Sequence, residues 1–164
     1  MSNSAIINPI ILALDVSSRA EAAAALQHLQ AHIGMCKIGL ELFTALGPAF
    51  VRELTDNGAA VMLDLKLHDI PVTVQRATAN VAALGARLLT LHAGGGGAML
   101  RAARSAVSAY AQQTGTAGPQ LLAVTVLTSI DAASLTMELG VARALQDHVV
   151  NLARLAQDAG ADGV

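Results

Sequence analysis

Short apolar runs alternate with longer amphipathic, alanine-rich stretches along the chain. The short runs are typical of β-strands buried on both faces, and the longer stretches show the apolar spacing of helices. The predicted strands are residues 10–14, 35–38, 60–65, 87–91 and 121–127, with a further strand starting at residue 163. The predicted helices are residues 19–32, 47–57, 72–84, 97–113 and 141–159. Because each strand is followed by a helix, we predict a parallel sheet with right-handed crossovers.

The boundaries of several helices are marked by capping residues. Ser17 or Ser18, placed ahead of Glu21, is a typical N-cap for the first helix. Glycines stand where four helices are expected to stop, namely Gly34, Gly58, Gly85 and Gly160. The loop at residues 114–119 joins a helix to a strand and is not a domain boundary.

Periodicity alone permits either a doubly wound open sheet or a (β/α)₈ barrel. Polar residues favour the barrel, because they stand at or near the C-terminal ends of five different strands. These residues are Asp15, Lys37, Asp64 with Lys66, His92, and Thr128 with Ser129. A barrel brings such ends to one mouth, whereas an open sheet with strands about 4.8 Å apart would spread them over about 20 Å. We therefore predict one α/β barrel domain over residues 1–164.

Composition excludes several classes of protein. The chain has 164 residues, 54% hydrophobic and 13% charged, which predicts a globular domain with a large core. A net charge of −2 and only three aromatic residues other than histidine exclude a nucleic-acid-binding surface. The N-terminal apolar run stops at Asp15, short of the roughly 20 residues of a membrane span, and lacks the features of a signal peptide. With one cysteine, Cys36, we expect a cytoplasmic protein.

Residues 64–73 form the most informative segment of the chain. Asp64 and Lys66 lie on a strand that is otherwise apolar, and a strand places alternate residues on one face. Asp69 follows just past the expected strand end, and Pro71 is suited to start a helix. Buried charges are costly unless paired, and two carboxylates around one ammonium favour its charged form. We therefore interpret this segment as a catalytic site.

The same residues carry a resemblance to a known family. The motif Asp64-x-Lys66-x-x-Asp69, within the run at residues 63–74, resembles the signature of the orotidine 5′-phosphate decarboxylase family. Further matches to that family, in the same order along the chain, are residues 13–15, 37–39, 91–93 and 124–129. One departure is Val72, where the family often carries Asn, while Thr73 is kept.

The resemblance implies decarboxylation of orotidine 5′-phosphate to UMP with no metal and no organic cofactor. Loss of CO₂ from C6 leaves a carbanion with no adjacent carbonyl, so the site must stabilise charge and supply a proton. In the family pattern Lys66 is the proton donor and Asp64 lies against the substrate carboxylate. Lys37 then completes an alternating network of two lysines with Asp64 and Asp69.

The resemblance also implies the residues that bind substrate and partner. Asp15 and Lys37 would hold ribose hydroxyls, and Thr128 and Ser129 would meet the pyrimidine or nearby groups. Ile70 is a further substrate-binding residue. Asp69 and Thr73 would reach into the site of a partner subunit, which makes the enzyme a homodimer.

Structural readings of these residues remain open. Asp64 and Lys66 would then be an ion pair closing the barrel top, and Lys37 a simple salt-bridge partner. Asp15 would be an N-cap or a turn residue for the first helix, and Thr128 with Ser129 would cap another helix. We interpret His68 and His92 as structural and the glycine run 94–97, which lacks nucleotide-binding spacing, as a tight turn.

Two other functions remain as alternatives. Magnesium-dependent decarboxylases and aldolases of sugar phosphates share the motif D-x-K-x-x-D, but they proceed through an enediolate. The second alternative is a non-catalytic barrel that binds a nucleotide or another partner.

The chain is short for the predicted fold. A (β/α)₈ barrel needs about 200–250 residues. Only five strand–helix units and the start of a sixth strand at Gly163 are present, so groups after strands seven and eight that would bind phosphate are not assigned. We expect the sequence to be part of a longer chain. The alternatives are a true truncation, which would be inactive, and completion by a second chain.

Overall fold

Five strands pair in parallel, in the order in which they occur along the chain. The computed structural model describes residues 8–164. The strands are β1 (Ile11–Ala13), β2 (Met35–Gly39), β3 (Val61–Leu67), β4 (Leu88–His92) and β5 (Gln120–Val124). The helices are α1 (Arg19–Leu29), α2 (Leu40–Asp56), α3 (Pro71–Ala83), α4 (Gly96–Thr114), α5 (Ala132–Met137) and α6 (Leu145–Asp158). None of the helices in this part of the chain is long and apolar enough to cross a membrane.

The strand order distinguishes between the two candidate folds. A doubly wound sheet reverses its strand order at a switch point, whereas a (β/α)₈ barrel adds each new strand on the same side. The order here, β1-β2-β3-β4-β5, has no reversal. Gly163 forms a parallel bridge with Leu122 on β5, where the sixth strand was predicted to start. The barrel prediction is confirmed for these five units.

A row of paired, buried residues crosses the sheet just below the C-terminal ends of the strands. Ile38 pairs with Leu63, Leu63 with Leu89, and Leu89 with Leu121. All four side chains are at most 1% exposed. Since this row lies below the C-terminal ends of β2 to β4, it anchors the polar residues that follow it.

The first helix begins with a capping box. The Ser18 side chain accepts a hydrogen bond from the Glu21 backbone N–H, and the Glu21 carboxylate accepts one from the Ser18 backbone N–H. The N-cap prediction is therefore confirmed for Ser18, and the alternative in which Asp15 caps this helix is wrong. The helix ends at Leu29, and a 3₁₀ turn over Gln30–His32 completes the predicted length.

Two helix predictions need correction. Helix α2 begins at Leu40, not at residue 47, and the left-handed Gly47 (φ 69°) ahead of Pro48 breaks it into two segments. Only the second segment was predicted, because Gly47 and Pro48 read as a helix start. Helix α6 begins at Leu145, after the unpredicted short helix α5 and the left-handed Gly140 (φ 68°).

The end of β5 was also placed too late. The strand stops at Val124, whose partner His92 is the last residue of β4. Beyond that point β4 offers no further backbone partner, so the apolar run up to residue 127 leaves the sheet. The shift places Thr128 and Ser129 in a turn four residues past the strand end.

Candidate active site

Asp64 is the centre of a chain of charges at the C-terminal ends of β1, β2 and β3. Its Oδ1 accepts a hydrogen bond from Lys66 Nζ at 2.8 Å, and its Oδ2 lies 3.9 Å from Lys37 Nζ. Lys37 Nζ also donates to Asp15 Oδ1 at 2.9 Å. The structure thus brings together four of the predicted site residues, and the two lysines here are the only lysines of the chain.

These four side chains differ in their access to solvent. The side chain of Asp64 is 15% exposed, that of Lys37 22%, that of Lys66 30% and that of Asp15 70%. Burial alone would raise the pKa of Asp64. Hydrogen bonds from Lys66 and Thr90, together with the charges of Lys66 and Lys37, outweigh burial and hold the pKa of Asp64 below its usual value. The carboxylate is therefore ionised at neutral pH.

Lys66 has an unusual backbone. Its φ is 50°, and among the described residues it is the only non-glycine residue with a positive φ. The strained position coincides with a register shift, because Leu63 pairs with Leu89 whereas Leu67 pairs with Leu91. Four residues of β3 thus span two residues of β4, and left-handed backbone at a bulky side chain is often found at functional sites.

Thr90 on β4 belongs to this site, although the sequence analysis did not single it out. Its side chain is 4% exposed, and its Oγ1 donates to Asp64 Oδ1 at 2.9 Å and accepts from the Lys66 backbone N–H at 2.9 Å. The available signal was one polar residue between Leu89 and Leu91, inside a run of leucines. Threonine is common in β-strands, so that signal is weak.

Asp69 lies outside the charge network in this chain. Its Oδ1 accepts from the backbone N–H of Ile70 at 2.6 Å, and no lysine of the described chain lies within ion-pair distance of it. Ile70 and Thr73 are exposed, at the end of the loop and in the first turn of α3. Within one chain, the alternation of aspartates and lysines runs through Asp15, Lys37, Asp64 and Lys66. The place of Asp69 in the network stays a prediction.

Thr128 and Ser129 are exposed in the turn after β5, and no hydrogen bond links their side chains to the charge network within the described residues. The helix that follows is capped by Asp131, whose side chain accepts from the Ser134 backbone N–H at 2.8 Å. The reading of Thr128 and Ser129 as a helix cap is therefore wrong.

His68 and His92 pack against each other beside Lys66. Their ring centroids are 5.4 Å apart with an interplanar angle of 42°. Burial, followed by the charges of His68 and Lys66, lowers the pKa of His92. After His92 the chain makes a 3₁₀ turn over Ala93–Gly95 and enters α4 at Gly96. Within residues 8–164, no three His, Cys, Asp or Glu side chains are grouped so as to hold a metal ion.

Comparison with known proteins assigns the chain to a family. The model of the orotidine 5′-phosphate decarboxylase/HUMPS family matches residues 8–164. The chain belongs to the orotidine 5′-phosphate decarboxylase/HUMPS family.

The similarity of the chain to individual members of the family supports this assignment. The orotidine 5′-phosphate decarboxylase of Paramagnetospirillum magneticum is 46% identical over 158 residues, covering 96% of this chain and 67% of the relative. That of Moorella thermoacetica is 46% identical over 155 residues, covering 94% and 62%. The crystal structure of the Lactobacillus acidophilus enzyme matches with a TM-score of 0.89 at 38% identity, covering 96% of this chain and 70% of that one. The chain thus spans about two thirds of the length of these family members.

Proposed function

We propose that this protein decarboxylates orotidine 5′-phosphate to UMP in de novo pyrimidine synthesis, without a metal ion. The observation that carries the proposal is the 2.8 Å pair of Lys66 Nζ and Asp64 Oδ1 at the C-terminal end of β3. It lies at the barrel end where enzymes of this fold hold their sites, in a chain whose family is named for this reaction.

Asp64 suits the departure of CO₂, and Lys66 suits the protonation of C6 that follows. The bond between C6 and the carboxylate breaks, CO₂ leaves, and the electron pair stays on C6. An ammonium beside C6 stabilises that charge and then donates its proton, so Lys66 is left as an amine that regains a proton from solvent. Asp64, ionised and mostly buried, would face the substrate carboxylate, and repulsion between the two anions would be relieved as CO₂ departs.

The outer residues of the network suit the binding of ribose. Asp15 is the most exposed of the four side chains, and Lys37 holds one of its two carboxylate oxygens. The other oxygen remains an acceptor for a ribose hydroxyl. We assign Ile70, Thr128 and Ser129, which are all exposed in loops that follow the strands, to contacts with the pyrimidine.

A decarboxylation assay on the purified protein tests the proposal. Lys66→Ala should lower kcat/KM by at least about 10³-fold, because both charge stabilisation and proton donation are lost. Arg154→Ala, which removes an exposed cation on α6, is the matched control and should leave the rate unchanged. A parent protein without turnover, or a Lys66→Ala variant with parental turnover, would contradict the proposal.

The same assay in EDTA separates the metal-free reaction from the alternative of a magnesium-dependent decarboxylase. We expect the rate to be unchanged by EDTA. A rate that falls in EDTA and returns with added Mg²⁺ would overturn the metal-free mechanism while retaining an enzyme.

We also propose that the protein is a cytoplasmic homodimer in which Asp69 and Thr73 complete the site of the partner subunit. Large apolar side chains are exposed next to these residues, with Ile70 62% and Val72 45% exposed, and Leu40 at the start of α2 is 53% exposed. Apolar residues around a polar site are typical of a subunit interface. A single, buried and free Cys36 suits a reducing compartment.

A further inference from the structure

Thr90 is one of two buried polar residues in the described chain, the other being Thr78. The two threonines differ in their hydrogen bonds. Thr78 Oγ1 has no partner among the described residues, whereas Thr90 Oγ1 has two. Burying a hydroxyl is costly unless it is hydrogen-bonded, so the two bonds of Thr90 mark a specific role for that side chain.

The two bonds of Thr90 fix the direction of its hydroxyl. A hydroxyl carries one proton and can accept through its lone pairs. The Lys66 backbone N–H can only donate, so Thr90 Oγ1 accepts from it at 2.9 Å. The hydroxyl proton is then free to point to Asp64 Oδ1, which is 2.9 Å away and is ionised. Thr90 therefore connects the Asp64 carboxylate to the backbone of Lys66.

The backbone of Lys66 needs such a partner. The register shift between Leu63 and Leu67 takes this part of β3 out of the regular ladder with β4. A bulge leaves backbone groups unpaired, and φ of 50° is a conformation that a lysine rarely adopts. The Thr90 hydroxyl takes the place of a strand carbonyl as the acceptor for the Lys66 N–H, and it is aligned by the Asp64 carboxylate on its other side.

We propose that Thr90 is a positioning residue that holds the Asp64 carboxylate and the left-handed Lys66 backbone together, so that Lys66 Nζ meets Asp64. The effect on catalysis rests on the proposed function, whereas the effect on Asp64 does not. Thr90 acts through Asp64 and Lys66 and touches no reacting atom. Its hydrogen bond also contributes to the low pKa of Asp64, after the larger effect of the Lys66 hydrogen bond.

The main variant of the test, Thr90→Val, removes the hydroxyl and nearly keeps the shape of the side chain. Thr90→Val and Thr90→Ala lose both bonds, Thr90→Ser keeps them, and Thr78→Val removes the unpartnered buried hydroxyl as the matched control. We expect Thr90→Val to lower kcat about tenfold or more with KM changed less than about threefold, and Thr90→Ser to stay within about threefold of the parent. The acidic limb of the kcat/KM profile should move to higher pH in Thr90→Val and Thr90→Ala, and it should stay in place in Thr90→Ser and Thr78→Val.

A measurement that needs no turnover accompanies the assay. The ¹³C shift of the Asp64 carboxyl carbon, followed against pH, should give a higher pKa in Thr90→Val and Thr90→Ala than in the parent, Thr90→Ser and Thr78→Val. Exchange of the Lys66 amide proton should be faster in the same two variants. These shifts in a protein without turnover would support the positioning role and reject the decarboxylase. An unchanged Asp64 pKa, or a Thr90→Val kcat equal to that of the parent, would overturn the positioning role.

Discussion

Cys36 and Lys37 are neighbours on β2 but face opposite environments. Cys36 is 1% exposed in the core, whereas the Lys37 side chain is 22% exposed and joins the charge network. This alternation is a local property of a strand, and it could be read from the sequence once β2 was placed. The polar residues near the strand ends were predictable for a second reason, which is that unpaired charges are seldom buried in an apolar strand.

Cys36 should resist alkylation in the native protein. Burial raises the pKa of the Cys36 thiol to about 11. At pH 8 roughly one thiol in a thousand would then be ionised, and the side chain is shielded from reagents as well. We expect iodoacetamide at pH 8 to label the native protein at least about 100-fold more slowly than the protein in urea. Equal rates in the two conditions would show that Cys36 is accessible. Mass spectrometry measures the rate of labelling in both conditions.

His92 should make the protein less stable as the solution becomes mildly acidic. Its pKa is lowered in the fold, mainly by burial and then by the charges of His68 and Lys66. The unfolded chain therefore takes up a proton more readily near pH 6.5, and stability present above that pH is lost as the pH falls toward the folded pKa. Asp64 does not contribute in this window, because its pKa is held below the usual range of a carboxyl group, which lies at lower pH.

The measurement is the melting temperature at pH 7.5 and at pH 5. His92→Gln should lose less stability between these two values than the parent does, because the group that resists protonation is gone. His28→Gln, on the exposed surface of α1, is the matched control and should keep the pH dependence of the parent. A parental pH dependence in His92→Gln would rule out this role for His92.

Element boundaries were predictable where they depend on neighbouring residues in the chain. The capping box of Ser18 and Glu21 and the left-handed glycines at 58, 85 and 160 are of this kind. The end of β5 was not, because it depends on where β4 runs out of backbone partners. The start of α2 at Leu40 was missed because Gly47 and Pro48 resemble a helix start, and they do begin the second of its two segments.

The turn ahead of β2 leaves no space for a side chain at Gly34. A Cβ there would lie 1.9 Å from the backbone oxygen of Asn8, and the Gly34 N–H donates to the oxygen of Ile10 at 2.9 Å. Gly34→Ala must therefore push the segment before β1 away from the sheet. We expect a loss of about 1–3 kcal/mol in the free energy of unfolding.

Gly94→Ala is the control for this substitution. A Cβ at Gly94 would meet its nearest atom, His68 Cε1, at 3.8 Å, which is an ordinary contact. We expect a change within about 0.5 kcal/mol. Urea denaturation followed by circular dichroism measures both variants, and equal stabilities would show that the segment before β1 moves without cost.

The proposed dimer predicts complementation between two inactive variants. Lys66→Ala removes the proposed proton donor of its own site, whereas Asp69→Ala would remove a residue from the site of the partner subunit. A heterodimer of the two then has one intact site. Random pairing in a 1:1 mixture makes half of the dimers heterodimers, so about a quarter of all sites would be intact.

Co-expression of the two variants, followed by the decarboxylation assay, measures this activity. The control pairs Lys66→Ala with Asp64→Asn, both of which damage the site of their own subunit, and should show no recovery. No recovery with Asp69→Ala would mean that Asp69 acts in its own chain or that no mixed dimer forms. Native mass spectrometry of the co-expressed sample, which separates mixed dimers from matched ones by mass, distinguishes these two outcomes.

Sequence reasoning alone was enough to predict the parallel β/α order and the charged residues that lie near the ends of the first three strands. These features follow from the local alternation of apolar and polar residues and from the cost of burying charge. Three features became known only from the fold: the strand order has no reversal, Lys66 has a left-handed backbone, and Thr90 joins Lys66 to Asp64. The last two depend on the register between β3 and β4, which pairs residues about 25 positions apart and leaves no local pattern in the chain.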